Sequence, residues 1–381
     1  MPVDAPRPRI LHVITHLDMG GAENVAMQLI DSLRGQFDFS LFAVLGGARL
    51  SSVGADMVRR LDAWGVAHRF GVAGRFKSGG VLLAALALNR MVRDHRPDVI
   101  HVHTEIPELT LALACMLSRR TRRTPLLRTV HNSELWIAWA RIGRWVTERL
   151  QHGATVAVSR SASDADWAIA TRAQRPRADI LHNGVAPPPL VPRFGQRRRF
   201  KLLFAGRLVH QKGADLLPDI LEAAARTASR RDVFVTIAGS GVLRQAIESR
   251  LRDALPGWTV QFVPPIERLA YRLAEFDAVL LPSRFEGFAL LPLEVLMAGI
   301  PLVTTSAPGL DEAIPPDYPY QARPDDVAGL AARLVEVIDD PFHARAIAQL
   351  HGAELARRFS PEAMAQGYAE RYRALATGAQ R

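Results

Sequence analysis

The chain has 381 residues, 48% of them apolar and 23% charged, which suits a folded protein and is too long for one ordinary core. A single cysteine excludes an internal disulfide and a cysteine-based zinc cluster, and Cys115 lies in an apolar run where a buried thiol is expected rather than a nucleophile. The net charge of +10 is uneven, with 25 Lys and Arg against 16 Asp and Glu in residues 1–195 and 23 against 22 beyond. That asymmetry suits an anionic partner for the first half, such as a membrane surface, a lipid phosphate or nucleic acid, and is weighed against a general arginine bias.

Residues 9–15 (RILHVIT) are short and β-branched, the pattern of a buried parallel strand, and lead through the loop HLDMGGAE into a helical pattern that runs through VAMQLIDSL. Strand character returns at FSLFAVL, DVIHVH, LLRTV and ATVAVS, with helical patterns such as VLLAALALNRMVRDH and LTLALACML between them. Such alternation predicts a parallel sheet with helices on both faces. Residues 186–199 (APPPLVPRFGQRRR), rich in proline and then basic, read as an interdomain linker. From residue 200 the alternation restarts, with strands FKLLFAG, VFVTIAG, WTVQFV, AVLLP and PLVTT and a helix expected between each successive pair. The last segment, SPEAMAQGYAERYRALATG, opens as a helix does and is placed to pack back on the first domain. The expected division is 1–190, 200–360, and a returning helix over 361–381. No run of about eighteen uncharged apolar residues occurs. The opening residues lack the layout of a secretory leader, so a cytoplasmic protein, at most peripheral to a membrane, is expected.

Two segments carry the chemistry. In residues 281–305 (LPSRFEGFALLPLEVLMAGIPLVTT) Glu286 follows a strand on a loop, Gly287 permits close backbone approach, and Pro292 lies near the start of a helix whose first turn is expected to hold Glu294. Open parallel sheets bind ligands at this carboxyl edge, and the amides of Phe288, Ala289 and Leu290 can hold phosphate oxygens. Carboxylates repel phosphate, so Glu286 and Glu294 are expected to accept hydrogen bonds from sugar and ribose hydroxyls. The ordinary alternative is a solvated loop residue and a dipole-favoured one. In residues 204–213 (FAGRLVHQKG) Gly206 allows a tight exit from a strand, and Arg207 and Lys212 follow within one short loop. Two cations there could neutralise a departing nucleotide diphosphate, the task other enzymes give a divalent metal.

GRL followed by KG, the spacing of Glu286 and Glu294, and the pair Gly20-Gly21 before Ala22-Glu23 together resemble the GT4 family of retaining glycosyltransferases. Lesser landmarks occur in order: His131 after a strand, AVS at 157–159, HNGV at 182–185, AGSG at 238–241 and GLDE at 309–312. The resemblance implies a GT-B fold, two Rossmann-like α/β domains facing across a cleft with the C-terminal helix crossing back to the first. It implies a nucleotide-diphosphate sugar as donor and a glycan or lipid-linked acceptor, as in bacterial surface polysaccharide synthesis. No cofactor and no metal is implied. By the same resemblance Arg207 and Lys212 bind the diphosphate, Glu294 the ribose, and Glu286 the donor sugar near the reacting carbon. Gly20 and Gly21 approach the phosphates or the acceptor, and His131 contacts the donor sugar. The backbone near Pro265 and Ile266 stands where family members contact the nucleobase, and Pro264-Pro265 replaces a common glycine there, leaving uridine and guanosine both open. Relatives generally lack a carboxylate placed to form a covalent intermediate, so attack on the face the leaving group departs from fits retention better.

Other signals are discounted. Asp164 and Asp166 match the DxD pattern of metal-dependent glycosyltransferases but sit at a helix start instead of a strand end. GGAE is not the G-x-G-x-x-G of dinucleotide sites. Trp136, Trp139 and Trp145 fall near one face of a helical pattern, with Arg141 and Arg144 close by and Arg119, Arg120, Arg122 and Arg123 upstream. This is the composition of a membrane-interface helix, weighed against core packing and a solvated turn. A sugar-nucleotide 2-epimerase of the same fold is the alternative enzyme. A basic nucleic-acid-binding protein is the alternative from another class, and it lacks any recognition-helix or RNP-type motif.

Overall fold

In this computed structural model residues 6–18, 20–46, 50–73, 79–169, 176–188, 199–252 and 255–378 are described, so most of the expected linker lies outside the described residues. The chain divides into two compact units, Met1–Gly184 with Pro361–Arg381, and Val185–Ser360.

The first unit runs β1 (Arg9–Ile14), α1 (Gly21–Leu33), β2 (Asp38–Leu45), α2 (Ser52–Ala63), β3 (Ala67–Val72), α3 (Gly80–His95), β4 (Val99–His103), α4 (Glu105–Leu117) and α5 (Arg119–Arg123). It continues with β5 (Leu126–Val130), α6 (Ala140–Arg149), β6 (Ala154–Ala157), α7 (Arg160–Ile169) and β7 (Asp179–Ile180). The seven strands are all parallel in the order β3-β2-β1-β4-β5-β6-β7. One apolar core joins α1 and α2 to one side of the sheet, and a second joins α3, α4 and α6 to the other. Burial on both faces is why these strands read as unbroken apolar runs. The edge strand β3 is half exposed and has no such run, and it escaped the sequence reading.

The second unit runs β8 (Phe200–Ala205), α8 (Leu217–Thr227), β9 (Val233–Ala238), α9 (Arg244–Leu251), β10 (Trp258–Val263) and β11 (Ala278–Leu281). Then come α10 (Leu290–Met297), β12 (Leu302–Thr305), β13 (Gln321–Ala322), α11 (Val327–Asp339) and α12 (Pro341–Arg358). Its sheet is also all parallel, ordered β10-β9-β8-β11-β12-β13. The helix expected between β10 and β11 is replaced by two 3-10 turns, Leu269–Tyr271 and Leu273–Glu275, because Arg268 takes a left-handed conformation (φ 51°) that a continuous helix cannot hold. After α12 the chain leaves this unit, and α13 (Pro361–Thr377) buries Met364, Ala365, Tyr368, Ala369 and Tyr372 against α1 and β4 of the first.

The tryptophan stripe does not form. Trp136 lies before α6 with φ 55° and is buried against Gly143, Trp139 is half-buried, and only Trp145 is exposed. A helical wheel over 136–146 fails because the helix starts at Ala140. The DxD carboxylates separate as well. Asp164 faces solvent and pairs with Arg177, while Asp166 is buried 3.2 Å from Arg128, which also meets Glu108 at 3.0 Å. Arg128 thereby ties α4 and α7 to β5, and burial pushes the Glu108 carboxyl up to about 7.

Candidate active site

Both sheets reverse their strand order once, between β1 and β4 and between β8 and β11. Strands on either side of such a reversal send their connections in opposite directions, which leaves a crevice at their carboxyl ends where ligands bind. In the second unit the residues flanking that crevice are the two segments singled out in sequence, 206–213 after β8 and 282–289 after β11.

An ion pair joins them. Lys212 Nζ donates to Glu286 Oε1 and Oε2 at 2.6 and 2.7 Å, and Ser283 Oγ donates to Oε1 at 2.8 Å. Glu286 is buried, so its charge needs these partners. Two glycines make the approach possible. Gly213, with φ 62°, has the Pro282 carbonyl where a Cβ would stand, and Gly309, with φ 81°, has the Glu286 carbonyl there. Arg207 is exposed and donates to Gln211 Oε1 at 2.8 Å, while Gln211 reaches the Phe285 carbonyl. Arg284 clamps the same loops with 2.7 and 2.8 Å bonds to Asp215, a 2.7 Å bond to Asp325 and a 2.6 Å bond to the His210 carbonyl. Sequence reasoning missed Ser283, Gln211 and Arg284: Gln211 and Arg284 act on loops far away in sequence, and Ser283, three residues before Glu286, shows its role only once the turn between them is formed.

One pocket gathers Lys212, Ser283, Glu286, Ala289, Leu290 and Pro292. Ala289 is the extended N-cap of α10 and no side chain caps the helix, so its first amides are left for water or an anion. Phe288 is turned inward, 5.4 Å from the Phe359 ring. Ile266 lies apart, in a separate hollow with Pro264, Pro265, Thr236 and Gln261. Glu294 corrects the sequence expectation: it is the fifth residue of α10 and falls in the second turn. The helix begins earlier than its proline suggests, because Pro292 at the third position lacks only an N–H that would have no partner inside the helix. No hydrogen bond or ion pair reaches the Glu294 carboxyl among the described residues, and burial raises its pKa.

In the first unit Gly20 is the extended, uncapped start of α1. A Cβ on Gly20 would meet the buried Glu23 carboxylate, whereas one on Gly21 would meet nothing within 4 Å. Glu23 itself is pushed up by burial and lies 3.2 Å from His16 Nδ1. His131 follows β5, is almost wholly buried, and is held by burial at a pKa of about 3, hence neutral. Its Nε2 lies 3.0 Å from His103 Nδ1.

Comparison with known proteins agrees with this arrangement. Residues 19–188 match the family described as Glycosyltransferase Family 4, and residues 199–340 match that described as Glycosyl transferases group 1. The glycogen synthase of Mycobacterium tuberculosis is 29% identical over 318 residues, 78% of this chain and 74% of the relative. Among solved structures, Anabaena Alr3699/HepE with UDP and glucose superposes with a TM-score of 0.75 at 18% identity over 97% of this chain and all of that one. The lipopolysaccharide outer core galactosyltransferase WaaB reaches 0.68 at 16% identity over 98% and 100%. The chain is a hexosyltransferase of the GT-B fold. It belongs to the family 4 glycosyltransferases.

Because Glu294 ionises at a cost, its contribution to stability is intact below the ordinary glutamate value and is lost as pH rises through the raised one. In ligand-free protein, Glu294→Gln should therefore raise Tm at pH 8, and the gain should vanish near pH 4. Thermal unfolding across that range checks it, and an unchanged or lowered Tm at pH 8 contradicts an unpaired carboxylate.

Proposed function

We propose that the protein is a metal-independent retaining glycosyltransferase that takes a nucleotide-diphosphate sugar and extends a glycan or lipid-linked acceptor in bacterial surface polysaccharide synthesis. The observation that carries this reading is the Lys212–Glu286 pair beside the uncapped start of α10, at the crevice where the strand order reverses. Lys212 and Arg207 supply positive charge for the diphosphate, and the amides at the uncapped start of α10, those of Ala289 and Leu290, supply donors. The half-buried Glu294 carboxyl, lacking a partner, suits the ribose hydroxyls. The hollow at Ile266 suits the nucleobase. By family resemblance Gly20 and Gly21 serve the phosphates or acceptor, and His131 the donor sugar. UDP in the Anabaena neighbour supports a nucleotide donor.

Glu286 is already held by a lysine and a serine, which favours a role in binding and polarising the sugar over one as a free nucleophile. Retention then follows from departure and attack on one face of the sugar, with the leaving phosphate oxygen taking the acceptor proton and Lys212 and Arg207 balancing its charge.

For the acceptor side, α3, α4, α5 and α6 lie side by side. They expose Leu82, Leu83, Leu86, Met116, Leu117, Ile142 and Trp145 next to Arg119, Arg120, Arg122, Arg123, Arg141 and Arg144. Apolar side chains among arginines are the chemistry of a surface that rests on anionic lipid. No helix among the described residues is long and apolar enough to cross a membrane.

Glu294→Gln and Glu286→Gln should fail differently. Losing a charge-assisted hydrogen bond worth roughly 1.5–3 kcal/mol should weaken nucleotide-diphosphate binding about tenfold or more in the first. The second should bind the nucleotide normally and lose turnover. Calorimetry and steady-state kinetics on both read this out, and parent-like behaviour in both refutes the site. Changing Arg119, Arg120, Arg122 and Arg123 to Ser removes roughly 1 kcal/mol of attraction per residue, so binding to phosphatidylserine vesicles should fall steeply while donor affinity holds. Unchanged vesicle binding would remove the membrane face.

A further inference from the structure

A line of buried polar groups runs through the first unit from α13 to His131. Tyr368 Oη lies 3.1 Å from Thr129 Oγ1, which lies 2.7 Å from His101 Nε2. His101 Nδ1 is 2.7 Å from Tyr372 Oη, and that oxygen is 3.2 Å from His12 Nε2. His12 Nδ1 meets His103 Nε2 at 3.0 Å, and His103 Nδ1 meets His131 Nε2 at 3.0 Å. The strands place them so: His12 pairs with His101 and His103 with Thr129 across β1, β4 and β5. Both nitrogens of His12, His101 and His103 are spent on these contacts, so none is left for a metal ion, although the three rings approach closely enough to suggest one.

We propose that this chain fixes the tautomer of His131, so that its Nδ1, the ring nitrogen outside the line, carries a hydrogen and presents a donor to an oxygen of the bound sugar, with Tyr368, Thr129, His101, Tyr372, His12 and His103 as positioning residues. The argument is a count of protons. Burial keeps all four imidazoles neutral, so each brings one hydrogen. The two phenols and the threonine bring one apiece. Six contacts share seven hydrogens, and one end of the line must hold the surplus. Tyr368 is fully buried and Thr129 is its hydroxyl's hydrogen-bond partner among the described residues. If the line ran inward from His131, the Tyr368 O–H would be orphaned, which disfavours that direction by roughly tenfold or more. Run outward, every contact is filled and the surplus hydrogen sits on His131 Nδ1, the ring nitrogen outside the line, on a side chain that keeps 9% exposure and whose Nδ1 is not among the buried unpartnered atoms. All four histidines are then Nδ1–H.

The consequence for chemistry rests on the assignment of His131 to the donor sugar. With Nδ1 protonated and Nε2 occupied, His131 cannot take a proton from the acceptor. It holds a hydroxyl or ring oxygen of the sugar by a neutral hydrogen bond and leaves proton transfer to the departing phosphate.

The test is nitrogen NMR of ring-labelled histidine in the full, ligand-free chain at neutral pH, which tells a protonated ring nitrogen from a bare one. His12, His101, His103 and His131 should all show a protonated Nδ1 and a bare Nε2. Nε2–H or a doubly protonated ring at His131 overturns the proposal. Tyr372→Phe cuts the line, and His131 should then show both tautomers; a pure Nδ1–H signal in the folded variant shows that the line does not control it and overturns the proposal too. Should that variant not fold, the parent spectrum still decides. The measurement uses no sugar nucleotide, so a failure here is distinct from a failure of the donor site, which the Glu286 and Glu294 variants read.

Discussion

The proposed donor chemistry depends on one reversal in strand order. With β8 and β11 adjacent and their connections leaving to opposite sides, loops separated by about seventy residues of chain are laid edge to edge, and the Lys212–Glu286 pair bridges them. Glu286 is buried and costly alone, and Lys212 supplies its counter-charge while Ser283 supplies a further hydrogen bond. Gly213 and Gly309 let backbone carbonyls stand where side chains would be, and Arg284 holds the outer turn of the same two loops. The result is a crevice with a half-buried carboxyl, Glu294, whose ionisation is opposed by burial.

The first unit shows the opposite strategy. Its strands carry histidines where a doubly buried parallel sheet ordinarily carries valine or isoleucine, and each is satisfied by a neighbour instead of by water. Tyr368 and Tyr372 reach this line from α13, the last helix of the chain, so the C-terminal segment contributes polar order as well as apolar area.

Much of this was legible in sequence because parallel strands and glycine loops leave strong local marks. The buried strands, the restart at residue 200 and the segments 204–213 and 281–305 all stand out by apolar runs and by Gly, Lys and Glu at telling positions. What was not legible depends on partners distant in sequence. Arg284 and Gln211 look like ordinary loop residues until the fold brings Asp215 and Phe285 to them, whereas Ser283 meets Glu286 three residues on through a turn that no local residue pattern marks. The helix α10 starts two residues before Pro292, which moves Glu294 out of its first turn, and the helical spacing of the tryptophans does not hold because Trp136 lies in a left-handed turn before its helix. The histidine line had a visible signal, a histidine at alternate positions in β4 and in the matching register of β1, but its meaning required the tyrosines of α13.

The central claim is that Lys212 and Arg207, with the first amides of α10, hold a nucleotide diphosphate in place of a divalent metal. Calorimetric titration of uridine diphosphate and guanosine diphosphate into the full chain, in EDTA and again in magnesium or manganese, tests it most directly. The account predicts that the nucleotide which binds does so with the same affinity in chelator as with metal. Binding that disappears in EDTA and returns with the divalent ion would contradict it.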